Sequence, residues 1–256
     1  MGTSQVVVDA IANRRPQASR LVLPATGPQS AIAHLAALHR LRPDVVHVNL
    51  CSPWAGATGL IAALTLPGAR VVRVDQLPLR TTDAIALWRT RALSLRVDAH
   101  VAVGEASARR MEDFYALGRG TVLSVPNCVP DIVGKPQPPE RPDGELVVGS
   151  VGRLDRMKAH DILLRALAQL DRVRVVVLGE GEQRTALLKL AADLGVSDRI
   201  DLPGWVDNPR AHLPGFDVMA LPSRSEGFPL AIVEAMLAGS LLALSSPRVS
   251  AASLRL

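Results

Sequence analysis

Short runs of β-branched and other apolar residues alternate along the chain with stretches whose apolar positions recur every three or four residues. The runs Arg20–Leu23, Asp44–Asn49, Arg70–Val74, Ala99–Val103, Thr121–Val125, Leu146–Ser150, Val173–Leu178, Arg199–Leu202, Asp217–Leu221 and Leu241–Leu244 predict strands. Between them, Gln29–Leu41, Asp83–Arg96, Glu105–Leu117, Asp161–Leu170, Glu182–Leu194 and Pro229–Ala238 predict helices. Such alternation reads as parallel sheet joined by crossover helices, an α/β fold. The segments VVHV and VRVVVL are apolar on every residue or nearly so, the pattern of strands covered on both faces. One stretch breaks the rhythm. Residues 134–144, GKPQPPERPDG, hold four prolines, which block both a helix and a central strand. A linker over 135–144 therefore separates a first domain, 1–134, from a second, 145–256.

Composition narrows the function classes. Apolar residues make up 48% of the 256, enough to bury a core, which excludes wholesale disorder. Aromatics are only 3%, so stacking platforms for single-stranded nucleic acid are absent from the expectation. The formal charge is +5, and 26 of the 29 basic residues are arginine. They are scattered rather than blocked, so a basic nucleic-acid binder is the weaker alternative and no nucleic-acid partner is expected. Cys51 and Cys128 are the two cysteines, in no CxxC or Cys/His cluster, which suits a reducing compartment and excludes a structural zinc. The opening residues lack a basic segment followed by an apolar run, so no signal peptide is read there. The most apolar stretch, Leu230–Leu244, contains Glu234 and is shorter than the roughly 20 residues a spanning helix needs. A soluble, cytoplasmic protein is expected.

Three segments carry candidate chemistry, each following a predicted strand. In Val151-Gly-Arg-Leu-Asp-Arg-Met-Lys-Ala-His160, Gly152 permits close backbone approach, while Arg153 and Lys158 supply a planar fork and a mobile point charge, a pairing suited to a diphosphate. A tight turn with surface charges fits the same spacing. Leu178-Gly-Glu-Gly-Glu-Gln-Arg184 has two glycines of a dinucleotide fingerprint but Arg184 in place of the third, so a tight turn into a helix outweighs a nicotinamide site. In the third, Gly227 and Pro229 stand ahead of a helix N-terminus, a ready anion site. That helix reads as apolar on all sides apart from Glu234, hence buried. A carboxylate there needs a partner. Two are open: the hydroxyl pair of a sugar or ribose, or an arginine of the core. Glu226, on the loop before, reaches toward the same groove.

Taken together, these segments resemble glycosyltransferase family 4, the retaining nucleotide-sugar enzymes of the GT-B fold. The resemblance covers roughly residues 40–245. Its carriers are VGRLDRMKAHDILLRAL, LGEGEQRTALLKLAADLGVSDRIDLPGWV and the Glu226–Glu234 pair in SEGFPLAIVEAMLAG, with RPDVVHVN, VAVGEASARRM and SVPNCVPD as less specific matches. It implies two Rossmann-like parallel-sheet domains facing a cleft, acceptor side first and nucleotide-sugar side second. It implies transfer of a sugar from a nucleotide-diphosphate donor to an acceptor sugar, lipid-linked sugar or small molecule, with retention. Gly152, Arg153 and Lys158 would hold the donor diphosphate with Gly227, Phe228, Pro229 and Leu230, Glu234 would take the ribose, and Glu226, as the catalytic residue, would meet the donor sugar. No cofactor and no metal are implied, and no Asp-x-Asp triplet occurs. An inactive relative that only binds nucleotide sugar is the alternative. A weak peripheral membrane contact through Trp88, Arg89, Arg91 and Arg96 is a further one, outweighed by a solvated helix with one anchored tryptophan.

The chain departs from the family pattern in four places. Only Thr26-Gly27-Pro28 stands where a strand and glycine-rich loop are usual, so the first domain is expected to be incomplete at its start. Asp75 or Gln76 occupies the place of an acceptor-side histidine, and His47 reads as a strand residue rather than a catalyst. Cys128 follows Asn127 where glycine is usual, implying local strain on the order of 1 kcal/mol. From Ser240 onward the residues leave the pattern, so the second domain is expected to be truncated and to expose apolar surface between Leu230 and Leu244.

Overall fold

A computed structural model of the protein describes residues 1–256 except 6–7, 10–12, 14, 16, 26, 55, 131–143 and 245–256. Thr26, the expected linker apart from Gly144, and the tail beyond Leu244 lie outside the described residues. The chain divides into two compact units, Met1–Pro126 and Asn127–Leu256.

The first unit runs α1 (Pro28–Leu41), β1 (Val45–Leu50), α2 (Ala57–Ala63), β2 (Arg70–Asp75), α3 (Ala84–Ser94), β3 (Ala99–Ala102), α4 (Glu105–Tyr115) and β4 (Val122–Ser124). Its four strands are parallel, in the order β1-β2-β3-β4. Pro28 opens α1, where its missing N–H is no loss. Asp83 caps α3, its Oδ1 accepting from the N–H groups of Ile85 and Ala86 at 2.8 and 3.2 Å. Leu38, Leu60, Ala63 and Val71 form one core cluster, and Ala102, Ala108, Met111, Tyr115 and Val122 another.

Two expectations change, one in this unit and one just beyond it. Arg20–Leu23 is not a strand: among the described residues it makes one parallel bridge, Val22 with Gly2, and Pro24, having no N–H, stops the pairing. Cys128, at the start of the second unit, is not among the non-glycine residues with positive φ, which are Arg42, Ala116, Ala159 and Arg172, so the strain expected at Asn127-Cys128 is absent.

The first unit also buries an ion pair. Arg73 and Asp75 lie on one face of β2 with side chains 1% and 0% exposed, Nη2 to Oδ2 at 3.0 Å. Arg73 also donates from Nη1 to Ser94 Oγ at 2.9 Å and lies 4.5 Å over the Tyr115 ring. Helices α3 and α4 thus meet the sheet through one guanidinium. Burial pushes the Asp75 carboxyl above its usual range against the opposing pull of Arg73.

The second unit runs β5 (Leu146–Val151), α5 (His160–Leu167), β6 (Val173–Leu178), α6 (Arg184–Asp193), β7 (Ile200–Gly204), a 3₁₀ segment at Pro209–Gly215, β8 (Val218–Leu221), α7 (Leu230–Leu237) and β9 (Leu241–Leu244). All five strands are parallel, ordered β7-β6-β5-β8-β9. From β5 the chain winds outward through β6 and β7, then returns to the other side of β5 for β8 and β9. The winding direction therefore reverses between β5 and β8. In open parallel sheets, ligands bind beyond the carboxyl ends of the strands at such a reversal.

Helix α7 differs from expectation at its surface. Ile232 and Ala235 are buried, but Leu230, Met236 and Leu237 are 42%, 38% and 50% exposed, so the helix is covered on one side rather than all round. Among the described residues β9 is the edge strand next to β8, and its Leu241 is 71% exposed.

Candidate functional site

Two loops leave the sheet at the reversal: 152–159 after β5 and 222–229 after β8. Backbone bonds shape the first. Gly152 N–H donates to the Leu178 carbonyl at 3.0 Å, Leu154 N–H to Glu180 at 2.9 Å, and Gln183 N–H to Leu154 at 2.9 Å. The glycines of Gly179-Glu-Gly181 make this lacing possible. A β-carbon on Gly179, whose φ is +149°, would lie 2.0 Å from the Gly152 carbonyl oxygen, and one on Gly181 would lie 2.4 Å from that of Leu154. The GxG segment thus braces the neighbouring loop, backbone on backbone.

Inside the loop, Asp155 Oδ1 accepts from the N–H groups of Met157 and Lys158, both at 3.0 Å, a side-chain turn that fixes Lys158. Ala159, 1% exposed with φ of +56°, closes the loop in the left-handed region, a strained conformation for a residue with a β-carbon. The second loop is fastened to the first by Arg224. Its backbone N–H donates to the Met157 carbonyl at 2.8 Å, and its guanidinium reaches the Arg156 carbonyl and the Asp161 carboxylate.

The structure brings Lys158 and Glu226 together, Nζ to Oε1 at 2.7 Å, across the reversal and 68 residues apart in sequence; their side chains are 23% and 12% exposed. Arg153 is not part of that contact. Its side chain is 80% exposed and pairs with Asp155 at 3.1 Å. Gly152 packs against the aliphatic stem of Lys158, where a β-carbon would sit at ordinary contact distance, 3.4 Å. Of the segment before α7, Gly227 and Phe228 are half-buried and Pro229 is buried, whereas Leu230 is exposed. Pro229 is the cap of α7 rather than its first residue, its carbonyl accepting from Ile232 N–H at 3.0 Å.

Glu234 has a protein partner. Arg210, in the 3₁₀ segment, donates from Nε to Oε1 at 2.8 Å, with side chains 27% and 14% exposed. Of the two partners open from sequence, the arginine is the one seen on this oxygen. Arg210 escapes sequence reasoning because it lies in an irregular segment with no motif of its own, and Asp155 and Arg224 because spacing says nothing of the turn and the loop-to-loop bonds they make.

On the first unit, Asp75 is fully buried and held by Arg73, so it presents no free carboxylate at the surface. Gln76 is half-buried just past the end of β2 and donates from Nε2 to Asn49 Oδ1 of β1 at 3.0 Å. Among the described residues, no helix is long and apolar enough to cross a membrane.

Residues 134–250 match the family model described as glycosyl transferases group 1. Over 94 residues the chain is 40% identical to a lipopolysaccharide core biosynthesis glycosyltransferase, LpsE, of Rhizobium meliloti, covering 37% of this chain and 28% of that one. Over 103 residues it is 40% identical to a D-inositol 3-phosphate glycosyltransferase of Mycobacteroides abscessus, covering 38% and 23%. It resembles Anabaena HepE crystallised with UDP-glucose at a TM-score of 0.76 and 19% identity, covering 95% of this chain and 71% of that one. A sucrose-phosphate synthase from Thermosynechococcus elongatus gives 0.72 at 19% identity, covering 89% and 64%. At such identities the likeness speaks for the fold, the α/β GT-B type with its two parallel sheets. The matched stretch spans about a quarter of the length of these curated relatives, and within this chain residues 134–250 carry the group 1 glycosyl transferase match.

Proposed function

We propose that the protein is a retaining, metal-independent glycosyltransferase of family 4 that binds a nucleotide-diphosphate sugar on its second unit and passes the sugar to an acceptor sugar, lipid-linked sugar or small molecule. The observation that carries this reading is the Lys158–Glu226 pair across the β5/β8 reversal. One ammonium proton goes to Glu226, leaving two for a diphosphate oxygen. Arg153, largely in solvent, is free to swing onto the same group, and Gly152 with the Gly227–Leu230 segment at the start of α7 completes the cradle. Cations and a helix N-terminus stabilise the leaving diphosphate as its negative charge grows, taking the part a metal ion would play. Glu226 faces the donor sugar, and the second oxygen of Glu234 takes the ribose hydroxyls. No cofactor is required. Two unpaired, exposed cysteines support a reducing, cytoplasmic setting.

A second reading, a nucleotide-sugar binder without turnover, draws on the first unit. Where a proton-relaying group would stand, Asp75 is buried in an ion pair and Gln76 is a carboxamide bonded to Asn49. The experiment titrates the chain with UDP and GDP, then incubates it with UDP-glucose and GDP-mannose in the presence of cell-extract acceptors. Diphosphate binding with release of free UDP or GDP supports transfer, and binding without release supports the second reading. No binding of either nucleotide by folded protein rejects both.

A further inference from the structure

A cavity of about 420 Å³ opens between the start of α5 and the start of α6, within the range of small-molecule sites. None of Gly152, Arg153, Lys158, Glu226 or Glu234 lines it. Its wall holds two carboxylates and several donors, and the two kinds of group stand differently. Both carboxylates are already paired. Asp161 accepts from Arg224 Nη1 and Nη2 at 3.3 and 3.0 Å, and Asp155 accepts from two backbone N–H groups and from Arg153.

The donors are not satisfied. Among the described residues, no hydrogen bond or ion pair engages the Arg156 guanidinium, the Gln183 carboxamide or the His160 ring. His160 is only 3% exposed, and its Nδ1 is fully buried without a partner. Burial, reinforced by Lys158 and opposed by Asp155 and Asp161, lowers its pKa to about 4 and keeps the ring neutral. Arg224 keeps its Nε–H and one Nη2 proton beyond the bonds it makes. Unfilled donors thus outnumber unfilled acceptors, and Arg156 is a cation without a counter-charge. That imbalance selects a ligand rich in acceptor oxygens and negatively charged. Phosphate presents three such oxygens in the geometry an arginine fork matches.

We propose that this cavity binds the phosphate group of a small molecule, with Arg156, Arg224 and Gln183 as its donors. The shared chemistry belongs to a phosphomonoester or to inorganic phosphate. The site is separate from the donor cradle and does not rest on the glycosyltransferase reading.

The test titrates the full chain calorimetrically with inorganic phosphate, glycerol 3-phosphate and glycerol, with and without saturating UDP. The phosphate compounds are expected to bind under both conditions and glycerol is not. Arg156→Ala removes an exposed side chain that holds no protein partner, so the fold is retained, and it is expected to weaken phosphate binding at least about tenfold. Tighter glycerol 3-phosphate than phosphate identifies an ester and equal affinity the free ion; both support the site. Absence of phosphate binding, equal binding by Arg156→Ala, or loss of binding on adding UDP overturns it. Should UDP fail to bind while the Arg156-dependent phosphate affinity persists, the donor reading falls and this site stands.

Discussion

Arg210 Nε donates to only one oxygen of Glu234, Oε1 at 2.8 Å, and among the described residues Oε2 accepts no hydrogen bond. A carboxylate has room for about four such bonds, so the ion pair and a ribose are compatible on the same group. The arginine offsets the cost of placing a charge on the half-covered helix α7. The remaining oxygen is the one that recognition would use.

Glu234→Gln should weaken UDP and uridine alike, by about tenfold, since both carry the ribose and the amide loses the charged acceptor. Arg210→Ala should lower stability by about 1–3 kcal/mol, because it leaves Glu234 without its counter-charge. Calorimetry and urea unfolding measure the two effects separately, and unchanged nucleotide affinity in Glu234→Gln removes it from the ribose site.

Arg153→Ala and Lys158→Ala should discriminate differently. Each is expected to reduce affinity for UDP about tenfold and to leave uridine almost unaffected, because only the diphosphate meets their charges. Lys158→Ala should also destabilise the fold more than Arg153→Ala, since Glu226 is 12% exposed and loses its cation, whereas Arg153 stands 80% in solvent. Equal losses for nucleoside and nucleotide would place the phosphate cradle elsewhere.

Gly181→Ala should unfold or severely distort the β5 loop, because the new β-carbon meets the Leu154 carbonyl oxygen at 2.4 Å, backbone that cannot step aside. A stability loss above about 2 kcal/mol is expected from this overpacking. Gly195→Ala, with φ of +67° but open space around it, should cost only about 1 kcal/mol. Thermal or urea unfolding of the two variants checks the contrast.

Acid should destabilise the second unit through His160. Its folded pKa, about 4, lies below the unfolded value, so the neutral ring contributes full stability above pH 6.5. That contribution is lost as pH falls from 6.5 through 4, up to about 3 kcal/mol for a shift of this size. His160→Gln should flatten the stability profile in that window, read by urea unfolding at pH 7, 5.5 and 4. A profile as steep as that of the unaltered chain would show that the ring protonates freely.

Much of the fold is legible in the amino-acid order. Val173–Leu178 is read as a covered strand from its unbroken β-branched run, and that is where β6 lies. Asp83, standing just before an apolar periodicity, marks the start of α3 and caps it. What escapes is whatever depends on contacts distant along the chain. Helix α2, at Ala57–Ala63, is short and without polar punctuation, so nothing sets it apart from loop. Arg73 sits in a strand where alternation leaves either face open, and only packing against Ser94 and Tyr115 buries it. Arg210 meets Glu234 from a proline-flanked segment 24 residues earlier, a pairing no spacing rule anticipates. The site motifs are visible as residue types, while their partners are set by the β5/β8 reversal.

The lacing of the β5 and β6 loops through Gly179 and Gly181 has an evolutionary reach. Because main-chain bonds and the Asp155 carboxylate hold the shape of the Gly152–Ala159 loop, the outward side chains of Arg153 and Arg156 are released from holding it. Arg153 and Arg156 can be exchanged for other residues while the frame beneath stays put, so new ligand preferences are open to this scaffold through single surface substitutions, without passing through an unfolded intermediate sequence.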